Sequence, residues 1–157
     1  MTFLTEDDIE KALIARFGEL GYANAPDAII GPDGTEPERS AYDDVILRGR
    51  LEAAVERLNP HIPPEAREEA IKQVLGSESA SLVEENRRLH RLIVEGVDVE
   101  FHAEDGTIRG DKVRLVDFDE PDANDWLVVD QMVVIESGRN RRPDVVVFVN
   151  GLPLAVV

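Results

Sequence analysis

The residues best placed to do chemistry are Pro143 and Asp144, which stand directly before the apolar run Val145–Val149. A carboxylate at the entrance of a strand pair can hold a hard divalent cation such as Mg²⁺, because such cations prefer oxygen ligands. The same pattern also suits an ordinary turn, since Pro and Asp are frequent where the chain changes direction. Spacing alone leaves both interpretations of Asp144 open.

The densest basic cluster lies immediately before this motif and consists of Arg139, Arg141 and Arg142. Arginine side chains beside such a site can donate hydrogen bonds to phosphate oxygens. A solvated loop explains the cluster equally well. In contrast, His61 lies in a proline-rich segment, His90 in a charged segment and His102 in an alternating one. None is at ligand spacing from another, so we expect all three to be exposed.

The motifs of several familiar sites are missing from the sequence. It contains no GxxxxGK[ST], GxGxxG, HExxH or GxSxG pattern, so nucleoside triphosphate, dinucleotide, zincin and lipase-type sites have no support. It also contains no cysteine, which excludes disulfides, thiolate zinc sites and a cysteine nucleophile.

Length and charge set the broad class. A chain of 157 residues with 43% hydrophobic and 32% charged residues can build one packed core. Its 33 acidic and 17 basic residues give a net charge of −16, which by itself repels nucleic acid and anionic membranes. The apolar runs are too short to cross a bilayer, and the acidic N-terminus is unlike a signal peptide. We therefore expect a cytoplasmic protein without a membrane partner.

The first 96 residues have the apolar spacing of helices. Apolar positions recur at intervals of three and four, and Pro, Gly or capping residues bound each segment. The predicted helices are 5–20, 42–58, 64–75 and 81–95. Residues 24–38 are rich in Pro and Gly, which indicates a long connection.

After Gly96 the period changes to two, which indicates strands. The sequence predicts a hairpin with its turn at EDGT and then β-branched strands over 126–135, 145–149 and 152–157. Asn150-Gly151 is the strongest hairpin turn, and the apolar run before it predicts a strand buried on both faces. The final strand ends in two valines without a polar tail, so the ending resembles a truncation.

These elements predict an α+β fold in which a helical N-terminal half packs on a mixed β-sheet. We expect one domain over 1–157, with helix 5–20 and the strands of 97–157 as its core and 40–96 as a helical insertion. The helix should pack on the sheet through one apolar stripe. The expected contact residues are Ile9, Leu13 and Phe17 on the helix and Val145, Val147, Leu154 and Val156 on the sheet.

The segment RRPDVVVFVNGLPLAVV resembles the endonuclease segment of the restriction (R) subunit of type I restriction-modification enzymes. Four further blocks resemble that family's N-terminal region in the expected order: LTEDDIEKALIARFGELGY, ERSAYDDVILRGRLEAAVERLNP, ENRRLHRLIVEGVDVEF and NDWLVVDQMVVI. The resemblance covers Leu4 to Val157. It implies a PD-(D/E)xK nuclease-like core, a type I site-specific deoxyribonuclease and cleavage of unmodified double-stranded DNA.

The resemblance also implies roles for particular residues. Asp144 corresponds to the metal-binding Asp, and Glu10, ahead of Glu6, corresponds to an acidic residue of the first helix that joins it in holding Mg²⁺. The Glu-x-Lys of the next strand is absent, so the fold is truncated at its catalytic strand and we expect the chain alone to be inactive. The implied partners are DNA and the methyltransferase and specificity subunits, while ATP serves motor domains outside this chain.

Two other functions compete with this interpretation. An assembly or docking domain of the same subunit would use the helical half without catalysis. An acidic DNA-mimic inhibitor would suit the length and the charge, but basic residues interleave with the acidic ones on the predicted helices, as in ordinary solvated surfaces.

Overall fold

The computed structural model describes residues 5–157. The helices are α1 (Glu6–Glu19), α2 (Asp27–Ile30), α3 (Arg48–Leu58), α4 (Pro64–Leu75) and α5 (Leu82–Glu95). The strands are β1 (Ala23–Asn24), β2 (Val97–His102), β3 (Ile108–Val113), β4 (Trp126–Asp130), β5 (Val134–Glu136), β6 (Arg139–Arg141), β7 (Val145–Val149) and β8 (Leu152–Val156).

The chain divides into two compact units. The first unit combines the residues up to Gly49 with Asp125–Val157, and the second is Arg50–Asn124. The secondary structure is mixed α/β and includes a mixed sheet, which is compatible with the expected α+β class. The expectation of a single domain over 1–157 stays a prediction.

The first unit is built on a four-stranded sheet with the order β1-β4-β7-β8. Strand β1 is parallel to β4, whereas β4, β7 and β8 are antiparallel neighbours. All five residues of β7 are buried, which confirms the prediction of a strand covered on both faces. The β7–β8 turn is also confirmed, because Asn150 (φ 52°) and Gly151 (φ 79°) both have the left-handed backbone of a tight hairpin.

Opposite faces of this sheet pack into separate apolar clusters. On one face, Val128, Val145 and Val147 pack with partly buried residues of the α1 region, namely Leu13, Ile14, Phe17 and Tyr22. On the other, residues of β4 and β7 pack with the chain around α2 and with the residue before α3: Ile30, Leu47, Leu127, Val129, Met132, Val146 and Phe148. The two clusters account for the burial of β7.

Helix α1 forms where the sequence predicts it. Thr5 accepts a hydrogen bond from the Asp8 backbone N–H, and the Asp8 side chain accepts one from the Thr5 backbone N–H, which completes a capping box. Leu13 and Phe17 pack on the sheet as expected, but Ile9 is 58% exposed and its predicted contact is wrong. On the sheet, the same is true of Leu154 and Val156, which are 46% and 69% exposed.

Three predicted segments differ from the structure. The helix predicted from position 42 begins only at Arg48, because the Asp44 carboxylate accepts hydrogen bonds from Ser40 and the Ala41 backbone N–H and holds a turn there. The strand predicted over 126–135 stops at Asp130 and resumes at Val134. The connection 24–38 contains the short helix α2, which its Pro and Gly content concealed.

The second unit contains α4, α5 and the β2–β3 hairpin. Helices α4 and α5 and the antiparallel hairpin are confirmed close to their predicted positions. Arg88 of α5 is buried, pairs with Glu85, and donates to the carbonyls of Gln73 and Gly76 at the end of α4. The hairpin is a two-stranded sheet of its own in this unit.

None of the helices within residues 5–157 combines the length and the apolar character needed to cross a bilayer. All three histidines are exposed, as predicted. His61 lies 3.3 Å from a carboxylate oxygen of Asp111, and the two side chains are 59% and 42% exposed.

Candidate functional site

Asp144 lies at the entrance of β7, where the sequence places it. Its side chain is exposed, and its backbone carbonyl accepts a hydrogen bond from the Gln131 backbone N–H at 2.9 Å. Its Oδ1 also accepts from Nε2 of Gln131 at 3.3 Å. Main-chain and side-chain contacts therefore join Asp144 to the residue that follows β4.

Glu10 reaches the same residue from α1. Its Oε2 accepts a hydrogen bond from Gln131 Nε2 at 2.9 Å, and the side chain is half-buried. The position follows from the helix packing, because Leu13, Ile14 and Phe17 seat α1 on the sheet face that contains Val145. The structure thus brings together Glu10 and Asp144, two of the acidic residues predicted for the site, through one amide.

Gln131 is the site residue that sequence reasoning missed. It lies where the predicted strand 126–135 breaks, and it has the left-handed backbone (φ 55°) that non-glycine residues rarely adopt. The signal that could have revealed it is the polar pair Asp130-Gln131 inside an otherwise apolar, β-branched run. Such a pair breaks the local strand pattern, and breaks of this kind are often found at functional or strained sites.

A buried ion pair holds the chain two residues after Gln131. Nη2 of Arg39 lies 2.6 Å from Oδ1 of Asp27, and the two side chains are 1% and 8% exposed. Asp27 Oδ2 accepts from the Val133 backbone N–H at 3.1 Å, and Arg39 donates to the Val133 carbonyl at 2.9 Å. Arg39 also donates to the Asp44 carbonyl at 3.1 Å. Both polar groups of the Val133 backbone are therefore fixed by charged partners.

The other predicted site residues lie apart from this hydrogen-bonded group. Glu6 is exposed one turn before Glu10 on α1, and within residues 5–157 no hydrogen bond links its side chain to Gln131 or Asp144. The predicted phosphate-contacting arginines are all exposed, two of them at the ends of β6 and one just after it: Arg139, Arg141 and Arg142. Their roles, like those of Glu6, stay predictions.

The donor set of the site suits a hard cation. Glu10 and Asp144 supply carboxylate oxygens. The Gln131 amide supplies one more oxygen if it rotates so that its carbonyl replaces its nitrogen. In the part of the chain that the structure describes, no group of three or more His, Asp or Glu side chains could hold a metal ion. The site is therefore a carboxylate pair bridged by an amide.

The fold and this site define a mixed α/β protein with a carboxylate pair at the end of a mixed sheet. Comparison with known proteins is more specific, since the chain belongs to the family described as the type I restriction enzyme R protein N terminus, whose model matches residues 3–157. The resemblance found in the sequence is thereby confirmed.

Two relatives support the same family. A Methanocaldococcus jannaschii protein named as the MjaIXP endonuclease subunit of a type I restriction enzyme is 34% identical over 157 residues, covering 98% of this chain and 15% of the relative. The HindI type I restriction enzyme endonuclease subunit of Haemophilus influenzae is 32% identical over 154 residues, covering 98% of this chain and 14% of the relative. The chain thus spans about one seventh of the relatives' length.

Proposed function

We propose that this chain contributes the endonuclease site of a type I restriction R subunit, which cleaves unmodified double-stranded DNA with Mg²⁺. The observation that carries the proposal is the hydrogen-bonded group of Glu10, Gln131 and Asp144 at the end of the sheet. Family membership supports it, because both relatives are named endonuclease subunits.

The proposed core is of the PD-(D/E)xK type. Support comes from Pro143-Asp144 at the entrance of the buried strand β7 and from the tight hairpin that leads into β8. The sequence contains no Glu-x-Lys, which that type of site uses to complete its ligand set and to orient the attacking water. We therefore expect no cleavage by the 157-residue chain alone.

Each residue has a defined task in this proposal. A bound Mg²⁺ would neutralise charge on the phosphodiester and lower the pKa of a water molecule. Glu10 and Asp144 would hold it through carboxylate oxygens, and Gln131 would keep the two carboxylates together until the cation binds. Arg139, Arg141 and Arg142 are exposed and would contact flanking phosphates.

The net charge of −16 supports delivery of the DNA by other parts of the complex. A surface this acidic repels the DNA backbone, so affinity would come from motor domains, which use ATP, and from the methyltransferase and specificity subunits. The isolated chain should then bind duplex DNA only weakly at physiological salt. An acidic surface also concentrates divalent cations near the site.

The test is cleavage of unmodified plasmid by an R subunit that carries this chain, assembled with its partner subunits. Asp144→Ala should abolish Mg²⁺-dependent cleavage. Glu136→Ala removes an exposed carboxylate of β5 and serves as the matched control, which should cleave at the wild-type rate. Equal cleavage by the Asp144→Ala and wild-type enzymes would overturn the proposed function.

Docking by the second unit is a second candidate function. Helix α5 exposes three apolar side chains: Leu82 at 81%, Val83 at 68% and Val94 at 53%. Leu82 and Val83 are adjacent in the sequence, and contiguous exposed apolar surface can mark a site that contacts a partner protein. Replacing Leu82 and Val83 by Ser should weaken assembly with the methyltransferase subunit and leave the stability of the chain unchanged. Unchanged assembly would reject this candidate.

A further inference from the structure

We propose that Gln131 is a positioning residue whose side-chain amide holds the carboxylates of Glu10 and Asp144 together without a cation and turns away when a cation binds. The first half of this inference rests on the structure of the chain. The second half, release by the cation, rests on the proposed function.

The bridge depends on the two protons of the amide. A Gln side chain carries two N–H donors on one nitrogen, so Nε2 can donate to two acceptors at once. Here the acceptors are Oε2 of Glu10 at 2.9 Å and Oδ1 of Asp144 at 3.3 Å. Two carboxylates on different elements would otherwise repel each other, and the shared donor offsets that repulsion.

The amide nitrogen occupies a position between these two oxygens from which a cation could bridge them. A cation that bridged Oε2 of Glu10 and Oδ1 of Asp144 from this position would meet the N–H protons of Gln131, which carry partial positive charge. The amide must therefore rotate, and rotation about its last torsion exchanges the nitrogen for the carbonyl oxygen. Gln131 would then offer the cation an acceptor in place of two donors.

The backbone around Gln131 is fixed, so the expected motion is confined to the side chain. The Gln131 N–H donates to the Asp144 carbonyl at 2.9 Å, which ties the end of β4 to the start of β7. Two residues further on, Asp27 and Arg39 hold the N–H and the carbonyl of Val133. These contacts also maintain the left-handed backbone of Gln131, which carries a conformational cost.

The test observes the side-chain amide of Gln131 by ¹H–¹⁵N NMR in the 157-residue chain. The sequence has only two glutamines, Gln73 and Gln131, so the signals that vanish in Gln131→Met and in Gln73→Met assign both. Gln73 is the matched control, because its amide donates to the Asp98 carbonyl at 3.4 Å and touches no carboxylate of the site. Without a cation, Glu10→Ala and Asp144→Ala should each shift the Gln131 signals, whereas Glu6→Ala should not.

Titration with MgCl₂ tests the release. The Gln131 amide signals should move with saturation, those of Gln73 should stay, and Asp144→Ala should remove the response. NaCl at equal ionic strength should produce no such shift. If Gln131 had a merely structural role, its signals would respond in the same way to both salts. Signals that ignore Mg²⁺ but respond to Glu10→Ala and Asp144→Ala would overturn the release and leave the bridge.

Gln131 signals that are the same in wild type, Glu10→Ala and Asp144→Ala would overturn the bridge itself. That failure is distinguishable from failure of the proposed function. A bridge seen by NMR together with full cleavage by Asp144→Ala would reject the nuclease site and retain the positioning role. Loss of cleavage in Asp144→Ala, together with NMR signals that show no bridge, would retain the nuclease site and reject the positioning role of Gln131.

Discussion

Strand β7 differs sharply between its interior and its entrance. Its five residues are all buried between two apolar clusters, whereas Asp144, one position earlier, is exposed and hydrogen-bonded to Gln131. The interior therefore contributes free energy of folding, because it removes apolar surface from water. The entrance contributes polar groups that packing does not need, and these are the groups available for chemistry.

Stability and candidate chemistry therefore belong to adjacent but separable residues. The connection between them is Gln131, which ties the polar entrance to the sheet without being part of the apolar clusters. Variants of the interior should change the melting temperature first, and variants of the entrance should change the reaction first.

The largest expected effect comes from a charge in the strand interior. Val147 is 8% exposed and packs against the α1 side chains, so Val147→Asp would bury an unpaired carboxylate. We expect a loss of about 4 kcal/mol or more in the free energy of unfolding. Urea denaturation followed by circular dichroism measures it. A wild-type melting temperature would contradict the assignment of Val147 to the buried face.

The buried ion pair near the site should give the next largest effect. Arg39→Ala leaves the Asp27 carboxylate buried without its charged partner, which costs about 3 kcal/mol. It also removes the hydrogen bond that Arg39 donates to the Val133 carbonyl. In the variant, the amide protons around Gln131 should therefore exchange with solvent faster than those of β4. Lys11→Ala, which breaks an exposed pair with Asp7, is the control and should leave the unfolding free energy nearly unchanged. Equal effects of the two variants would contradict the account.

A change at the edge of the site should reduce the reaction moderately. Glu10→Gln keeps the length of the side chain and removes its charge, so we expect cleavage by the assembled enzyme to fall about tenfold, less than in Asp144→Ala. Single-turnover cleavage at saturating Mg²⁺ measures the difference. Glu6→Gln on the same helix is the control. If Glu6→Gln lowers the cleavage rate more than Glu10→Gln does, Glu6 and not Glu10 is the α1 carboxylate that acts at the site.

The smallest effect is expected on the exposed side of α1. Ile9→Ser should change the unfolding free energy by less than about 0.5 kcal/mol, because Ile9 is 58% exposed. Leu13→Ser, one turn later and packed on the sheet, should destabilise the chain clearly. Thermal unfolding of the pair gives the answer, and a Tm drop in Ile9→Ser as large as in Leu13→Ser would extend the sheet contact to Ile9.

Local patterns in the sequence were sufficient for elements whose causes are local. Helix α4 has its predicted bounds because Pro64 starts it and Gly76 follows it, and the Asn150-Gly151 turn follows from backbone preference. Asp144 was placed correctly for the same reason, since an apolar run defines where a strand begins.

Long-range contacts explain what the sequence did not reveal. The break after β4 is held by Asp27 and Arg39, which are far from Val133 in the chain, so a window around 126–135 shows only a continuous β pattern. Helical spacing likewise identified the stripe of Ile9 and Leu13 but not how far the packed face extends. Gln131 was missed because its role exists only where three distant segments meet.

The most direct test of the account compares cleavage per folded molecule for Asp144→Ala and Val147→Ala in the assembled enzyme. Val147→Ala should lower the unfolding free energy by about 2 kcal/mol and, below its Tm, cleave unmodified plasmid at the wild-type rate. Asp144→Ala should change the unfolding free energy by about 1 kcal/mol or less, so its Tm should stay close to that of the wild type. The same variant should lose Mg²⁺-dependent cleavage. Wild-type cleavage by Asp144→Ala, or equal losses of cleavage in both variants, would contradict the separation between the strand interior and its entrance.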